Sequence, residues 1–294
     1  MPRTIWLASY PKSGSTWFRM LLANLSRTTP IDINAVEERA PAAGARRPFE
    51  DFLGLDTSLL THDEIDRLRP RVYELLAGGL AAPEAGRVAF SMVHDAYRAT
   101  AAGEPLLAGR GGAEGAILIV RDPRDVAASL ANHYRTSIDA AIAHMNNPAR
   151  ETHTRPGEMQ RLFRHGLRSW SGHAQSWLDQ ADLPICVVRY EDLKADAAGT
   201  FARALAFAGE PADAAAIGRA VAFSDFEALR RQEQASGFAR APQTPGGPFF
   251  RRGQAGGWRD ELTAGQVARL EAAHAAAMRR LGYQPVTASA PATS

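Results

Sequence analysis

The stretch Tyr10-Pro11-Lys12-Ser13-Gly14-Ser15-Thr16-Trp17 sets an ammonium, aliphatic hydroxyls and a glycine directly behind the apolar run at 5–9. Phe18, Leu21, Leu22 and Leu25 follow at helical spacing. A small-residue turn between a buried strand and a helix aims backbone N–H groups and the helix dipole at one point, which suits an anion. Lys12 adds a mobile positive charge, and Ser15 and Thr16 add hydroxyl donors. The ATP/GTP loop Gly-x-x-x-x-Gly-Lys-Ser/Thr has its lysine directly before the hydroxyl residue. Here the lysine precedes the glycine, and no Gly-Lys-Ser or Gly-Lys-Thr occurs in the chain. Taken alone, the loop could also be an ordinary strand–turn–helix junction with a solvated lysine.

A second strand–turn–helix junction lies at Val120-Arg121-Asp122-Pro123-Arg124-Asp125. Pro123 suits the first helical turn and Asp122 the cap before it. Arg121 leaves the carboxyl end of the strand, where open α/β sheets bind ligands. Ser129 lies two helical turns further on, where its hydroxyl could face the same ligand. A surface pairing of Arg121 and Arg124 with Asp122 and Asp125 is the structural alternative. Near the C-terminus stands Phe249-Phe250-Arg251-Arg252-Gly253-Gln254-Ala255-Gly256-Gly257-Trp258. An Arg-Arg-Gly turn lets guanidinium and backbone amides converge on one dianion; a basic, glycine-rich surface loop is the bland reading.

His94 follows the candidate strand at 88–92, and an imidazole with an ordinary pKa near ~6.5 suits proton abstraction around neutrality. An isolated strand-end histidine, however, is more often a structural hydrogen-bonding group. The remaining histidines form no metal-ligand spacing, and no paired-cysteine motif exists. Gly109-Arg110-Gly111-Gly112-Ala113-Glu114-Gly115 misses the Gly-x-Gly-x-x-Gly spacing and precedes a strand, so it reads as a turn.

Tyr10 to Trp17 resembles the 5'-phosphosulfate loop of the sulfotransferases that use 3'-phosphoadenylyl sulfate (PAPS), whose pattern is Tyr-Pro-Lys-Ser-Gly-Thr/Ser-Thr-Trp. The family's 3'-phosphate motif has an arginine at a strand end and a serine along the next helix, matched by Arg121 and Ser129. Phe249 to Arg259 is similar to its Arg-Lys-Gly-x-x-Gly-Asp-Trp-Lys motif, with Arg252 for the lysine and Gly257 for the aspartate. The three motifs stand in the family's order. Arg124 has no such counterpart and reads as a solvated or structural charge.

The resemblance implies a P-loop nucleotide-kinase-like sulfotransferase fold and sulfuryl transfer from PAPS to a hydroxyl, leaving adenosine 3',5'-bisphosphate (PAP). It makes Lys12 the leaving-group stabiliser, His94 the general base and Ser129 both a catalytic residue and a 3'-phosphate ligand. It extends the nucleotide site to Ser13, Gly14, Ser15, Thr16, Trp17, Tyr190, Ser224, Phe226, Phe250, Arg251, Arg252 and Gly253, with the aromatics Trp17, Tyr190 and Phe226 against adenine. The family places a lysine two residues before its base, where this chain has Met92. No metal is expected, because Lys12, His94 and backbone amides can manage the transferred group. The family's short dimer motif is retained only at Thr263, with Ala264 and Ala268 replacing its valine and glutamate, so a monomer, or a dimer that does not use that motif, is expected.

Elements that could hold such a site are readable. Residues 5–9, 88–92, 116–120 and 185–189 are short apolar runs, as in a parallel sheet covered on both faces. Helical patterns fall at 16–24, 123–133, 162–178 and 263–281. The alternation predicts an α/β fold, a parallel sheet flanked by helices. One domain is expected over 1–285, with a disordered tail at 286–294. Residues 26–60 and 136–158 read as irregular, and 234–248 as a mobile loop. These regions, with Phe49, Phe52, Leu53, Tyr134, Met145, Phe238 and Phe249, are expected to form an apolar acceptor pocket for a small phenol or alcohol.

With 294 residues, 45% hydrophobic and 22% charged, the chain has the composition of a globular protein. A net charge of +2 argues against a nucleic-acid partner, so any anion site must be local. No apolar run reaches the ~20 residues of a membrane span, and the start lacks a signal-peptide pattern. The single cysteine, Cys186, fits a reducing compartment, and the cytoplasm is the default. A degenerate P-loop kinase or NTPase would need a Walker lysine and a magnesium-binding acid, neither apparent. A non-catalytic protein binding nucleotides or sulfated glycans gives no reason for Lys12 and His94 to accompany an adenine pocket.

Overall fold

The computed structural model describes residues 3–36, 40–80, 87–154, 161–239 and 247–287. The strands β1 (Arg3–Ser9), β2 (Val88–Val93), β3 (Gly115–Val120) and β6 (Ile185–Arg189) form one parallel sheet in the order β2-β1-β3-β6. The register brings Ala8 opposite Val93, Ser9 opposite Ile119 and Val120 opposite Arg189, so the carboxyl ends of neighbouring strands finish together. β4 (Glu151–Thr152) and β5 (His165–Gly166) make a small antiparallel ribbon outside that sheet.

The helices are α1 (Ser15–Asn24), α2 (Arg46–Leu53), α3 (His62–Leu75), α4 (Gly109–Gly112), α5 (Pro123–Tyr134) and α6 (Ile138–Asn146), then α7 (Trp170–Asp179), α8 (Tyr190–Ala195) and α9 (Ala197–Phe207). α10 (Ala214–Phe223), α11 (Phe226–Ser236) and α12 (Ala264–Arg280) complete them. Alternate strand residues bury themselves on opposite sides. Trp6, Ala8, Leu118 and Val120 meet α5, α6, α7 and α12 through Val126, Ile142, Trp170, Trp177 and Leu270. Ile5, Leu7, Ile117 and Ile119 meet α1, α9 and α10 through Phe18, Leu21, Phe201 and Ile217. Burying each such side chain contributes about 1.5–3 kcal/mol, and both faces must be covered before the sheet is stable.

The pattern at 162–178 is helical only from Trp170. Arg168 has a φ of +59°, Ser169 caps α7 through its side chain, and His165–Gly166 is drawn off into the ribbon. Among the described residues of 26–60, α2 is the α-helix, and α6 covers 138–146 within 136–158. α11 runs through Gln234 to Ser236, while 240–246 fall outside the described residues. Val286 and Thr287 donate backbone N–H groups to the Glu271 carboxylate at 2.9 and 2.8 Å; the rest of the tail, 288–294, lies outside the described residues. Thr263 caps α12 in a capping box with Gln266, which accounts for that threonine locally. No helix among the described residues is long and apolar enough to cross a membrane.

Candidate active site

The four parallel strands each release one side chain at the same edge: Lys12 after β1, His94 after β2, Arg121 after β3 and Tyr190 after β6. All four line one cavity of about 240 Å³. Gly14, Ser15, Thr16, Trp17, Ser129, Phe226, Phe250, Arg251, Arg252 and Gly253 line it too. Ser13 and Ser224 do not. Ser13 is buried in the turn, its N–H donating to the Tyr10 carbonyl at 3.3 Å. Ser224 is buried behind Trp17, whose indole N–H donates to its carbonyl at 2.9 Å.

Local geometry explains the shape of the first loop. Lys12 and Gly14 have φ values of +71° and +103°. A β-carbon on Gly14 would come within 2.7 Å of the Tyr190 ring, so only glycine lets that ring lie against the loop. No side chain caps α1, leaving its first amides open toward the cavity. Gly253 plays the same part in the third loop: its φ is +61°, and a β-carbon would meet the Phe226 ring at 2.2 Å.

The Arg121 guanidinium sits over Tyr190, 4.4 Å from the ring centroid, and donates to the carbonyls of Lys12 at 3.5 Å and Gln254 at 3.0 Å. It therefore joins the three loops. Asp122 caps α5, with Pro123 in its first turn. The Asp125 carboxylate takes the N–H groups of Gly256 and Trp258 at 2.7 and 2.8 Å, which docks the third loop onto α5. Arg124 is buried and paired with Asp122 and Glu271, each at 2.6 Å. It is a structural charge and does not reach the cavity wall. Arg251 makes a bidentate pair with Glu261, at 2.7 and 2.9 Å, and Arg252 approaches the same carboxylate at 3.1 Å.

Burial, then the charge of Arg121, pulls Lys12 down to about 8; Arg251 adds to this and Glu233 opposes it. The Lys12 ammonium sits 4.0 Å from the centroid of the Phe249 ring. His94 Nδ1 is 2.7 Å from the Ser9 carbonyl oxygen. A carbonyl only accepts, so Nδ1 carries the proton of the neutral ring and Nε2 keeps its lone pair. Burial holds His94 below the usual imidazole value, so the ring is neutral at pH 7. Its backbone is bolted in place: His173 Nε2 contacts the His94 carbonyl at 3.2 Å, and Trp177 donates to that of Asp95. The Asp95 carboxylate pairs with buried Arg69 at 2.7 Å.

Sequence reasoning missed His133, Lys194 and Leu229 on the cavity wall. His133 follows Ser129 by one helical turn on α5, a spacing that could have flagged it; burial and then Lys12 pull it down to about 4. Lys194 lies 5.4 Å from the Trp17 ring and 5.9 Å from Phe226. Of the residues expected to form an acceptor pocket, Phe249 lines the cavity. Phe49 and Phe163 stack at 4.9 Å in a separate cluster that Phe52 and Leu53 border, Met145 is in the main core, and Phe238 supports Phe249 from behind. Tyr134 is exposed.

The sulfotransferase domain family model matches residues 116–282. Sulfotransferase 2B1 of Homo sapiens is 27% identical over 176 residues, 58% of this chain and 46% of that protein. Sulfotransferase 2B1 of Mus musculus is 23% identical over 89% of this chain and 67% of its own length. The matched stretch thus spans about half of the human relative. Among solved structures, mouse sulfotransferase SULT7A1 complexed with PAP has a TM-score of 0.57 at 18% identity, covering 94% of this chain and 84% of that one. Retinol dehydratase in complex with androsterone and inactive cofactor PAP has a TM-score of 0.55 at 18% identity, covering 98% and 82%. These likenesses establish the parallel-sheet sulfotransferase fold.

Proposed function

The chain belongs to the sulfotransferase domain family, and from that premise we propose that it moves the sulfuryl group of PAPS onto the hydroxyl of a small apolar phenol or alcohol. The observation that carries this reading is Lys12 and His94 on one cavity wall, delivered by paired strands, beside Arg121, Arg251, Arg252 and an aromatic slot. Lys12 supports the fit of an anionic donor: it is buried against two guanidiniums that depress it, a charge cluster that a polyanion would relieve.

PAPS would supply a sulfuryl group already bonded to a phosphate leaving group. Arg121, Ser129, Arg251, Arg252 and the Gly253 amide would hold the 3'-phosphate. The amides of Gly14 to Thr16 would cradle the 5' side, with Trp17, Tyr190 and Phe226 around adenine. Lys12 Nζ neutralises the charge that grows on the bridging oxygen as the bond from that oxygen to sulfur breaks. His94 Nε2 takes the proton of the acceptor hydroxyl as its oxygen bonds to sulfur, and PAP leaves. Phe249, Phe250 and Leu229 give the wall an apolar character suited to a small hydrophobic acceptor. The retinol dehydratase structure with androsterone lends support to that class. A reducing cytoplasm, compatible with the lone Cys186, is the compartment we assign.

The direct test is label transfer from PAPS, run beside ATP, into a mixed phenol and alcohol library. Transfer from PAPS is expected. Transfer from ATP alone, or from neither donor, would sink the reading.

Donor choice gives a sharper expectation. Arg121→Ala and Arg251→Ala should each weaken PAPS far more than adenylyl sulfate, which lacks the 3'-phosphate. Charge-assisted hydrogen bonds contribute about 1.5–3 kcal/mol each, or roughly 10- to 100-fold in affinity. Competition titrations with both ligands measure this, and equal losses would move the arginines to another task.

A further inference from the structure

The third loop crosses the cavity with its backbone fastened from outside. Glu233, in the last turn of α11, accepts the N–H of Phe249 at 2.5 Å through Oε1 and that of Phe250 at 2.9 Å through Oε2. Its two oxygens thus hold the consecutive amides of a bend, as the Glu271 carboxylate holds those of Val286 and Thr287. The two rings beyond this clamp meet edge to face, 5.2 Å between centroids, and Phe249 also rests on Phe238 at 4.9 Å. Phe250 packs on Phe238 and Phe226, at 5.5 and 6.3 Å between centroids, and Phe249 is turned onto the Lys12 ammonium at 4.0 Å. Arg251 and Arg252 come next in the chain, already on the cavity wall.

We propose that Glu233 is a positioning residue of the active site, clamping the Phe249–Phe250 backbone so that the Phe249 ring seats on Lys12 and the two arginines enter the cavity. Glu233 does not line the cavity, so it acts through the loop and through its charge. The inference rests on the reading of Lys12 as the leaving-group stabiliser. A carboxylate behind the loop keeps a buried ammonium charged at the pH where it must work, while staying out of contact with an anionic donor that it would repel.

The charge relation makes the proposal testable. The groups that bear on Lys12 are Arg121 at the end of β3, Arg251 in the third loop, Glu233 on α11 and His133 on α5. Of these, Glu233 is the one that favours the ammonium. Lys12 serves as a cation, so kcat/KM for PAPS declines as pH rises through its pKa in the free enzyme. In Glu233→Gln and Glu233→Ala that alkaline limb should move to lower pH. A change that merely loosened the loop would admit water to Lys12, relieve its desolvation and move the limb upward.

Glu233→Ala loses both amide bonds and should lower kcat/KM by roughly 10- to 100-fold. Glu233→Gln keeps one acceptor oxygen and should fall between it and the wild type. An unchanged or upward-moving limb in Glu233→Gln overturns the proposal. If both variants are insoluble, Phe249→Leu takes over: it retains the carboxylate and both amides but lifts the aromatic face off the ammonium. Its limb should also move down, and an unmoved limb there overturns the assignment as well. A parallel readout needs no turnover, namely the pH dependence of Lys12 acylation and its protection by PAP. A wild-type chain that transfers nothing from PAPS ends the functional reading, whereas the Lys12 acylation profile still decides the clamp.

Discussion

Lys12→Met is expected to lower sulfuryl transfer by at least ~10²–10³-fold, the usual cost of removing one preorganised group at a developing anion, while PAP still binds. The substitution removes the positive charge proposed to meet the bridging oxygen and little else. Both residues carry a β-carbon, so the positive φ at position 12 costs either one the same strain. The uncapped amides at the start of α1 remain, as do Arg121, Arg251 and the ring of Tyr190 beneath the loop. A methionine also carries no charge to be desolvated, and its flexible thioether can rest on Phe249 as the ammonium does. Single-turnover transfer beside calorimetric PAP titration separates the two roles. Near-normal turnover would remove Lys12 from the reaction, and PAP binding lost in step with turnover would make it a binding residue. In the wild type, kcat/KM should decline as pH rises through about 8, where the buried ammonium loses its proton.

His94→Ala carries the second large effect. A positioned base contributes roughly 10²–10⁴-fold, and the loss should depend on the acceptor. Toward aliphatic alcohols, whose protons are hard to remove, the variant should be nearly inactive. Toward nitrophenols, which ionise near neutral pH unaided, it should recover appreciably. The PAPS affinity should stay close to wild type, because the nucleotide is assigned to the three loops. A rate series over phenols and alcohols of graded acidity measures the contrast. A uniform loss with impaired PAPS binding would make the imidazole structural or a sulfate ligand. The acid limb of the wild-type profile follows the same group. Burial holds His94 below the usual imidazole value, so the base remains neutral, and activity persists, to a lower pH than an exposed histidine would allow. Activity is lost only as pH falls through that lowered pKa.

The strands were the most legible part of this chain. Parallel strands covered on both faces read as unbroken apolar runs, and the expected 185–189 coincides with β6, while 5–9 falls within β1. The three loops were visible as motifs, and residues of all three line one cavity. The helical pattern placed at 162–178 misled for a physical reason. Leu162, Phe163, Leu167, Trp170, Ala174 and Trp177 are spaced like one helix face, but Arg164 and Gly166 are drawn to Asp66 and Asp95. Local periodicity cannot see such tertiary pull. Glu233 and Lys194 were invisible for a related reason: each is an ordinary charged residue on an amphipathic helix until a distant loop meets it. Apart from Phe249, the expected acceptor residues lie off the cavity wall for a different reason: an aromatic in an irregular segment is as readily a core anchor, as Phe49 is against Phe163.

The cavity is sewn from opposite ends of the chain, with Pro11 to Trp17 on one side and Phe249 to Gly253 on the other, and Arg121 bridges them through the carbonyls of Lys12 and Gln254. A nucleotide held there would be a reversible cross-link between the first and third loops. By mass action, a ligand at a hundred times its dissociation constant adds about 2.7 kcal/mol to the native state. Product retained there would act as a staple, and the melting temperature is expected to rise with added PAP.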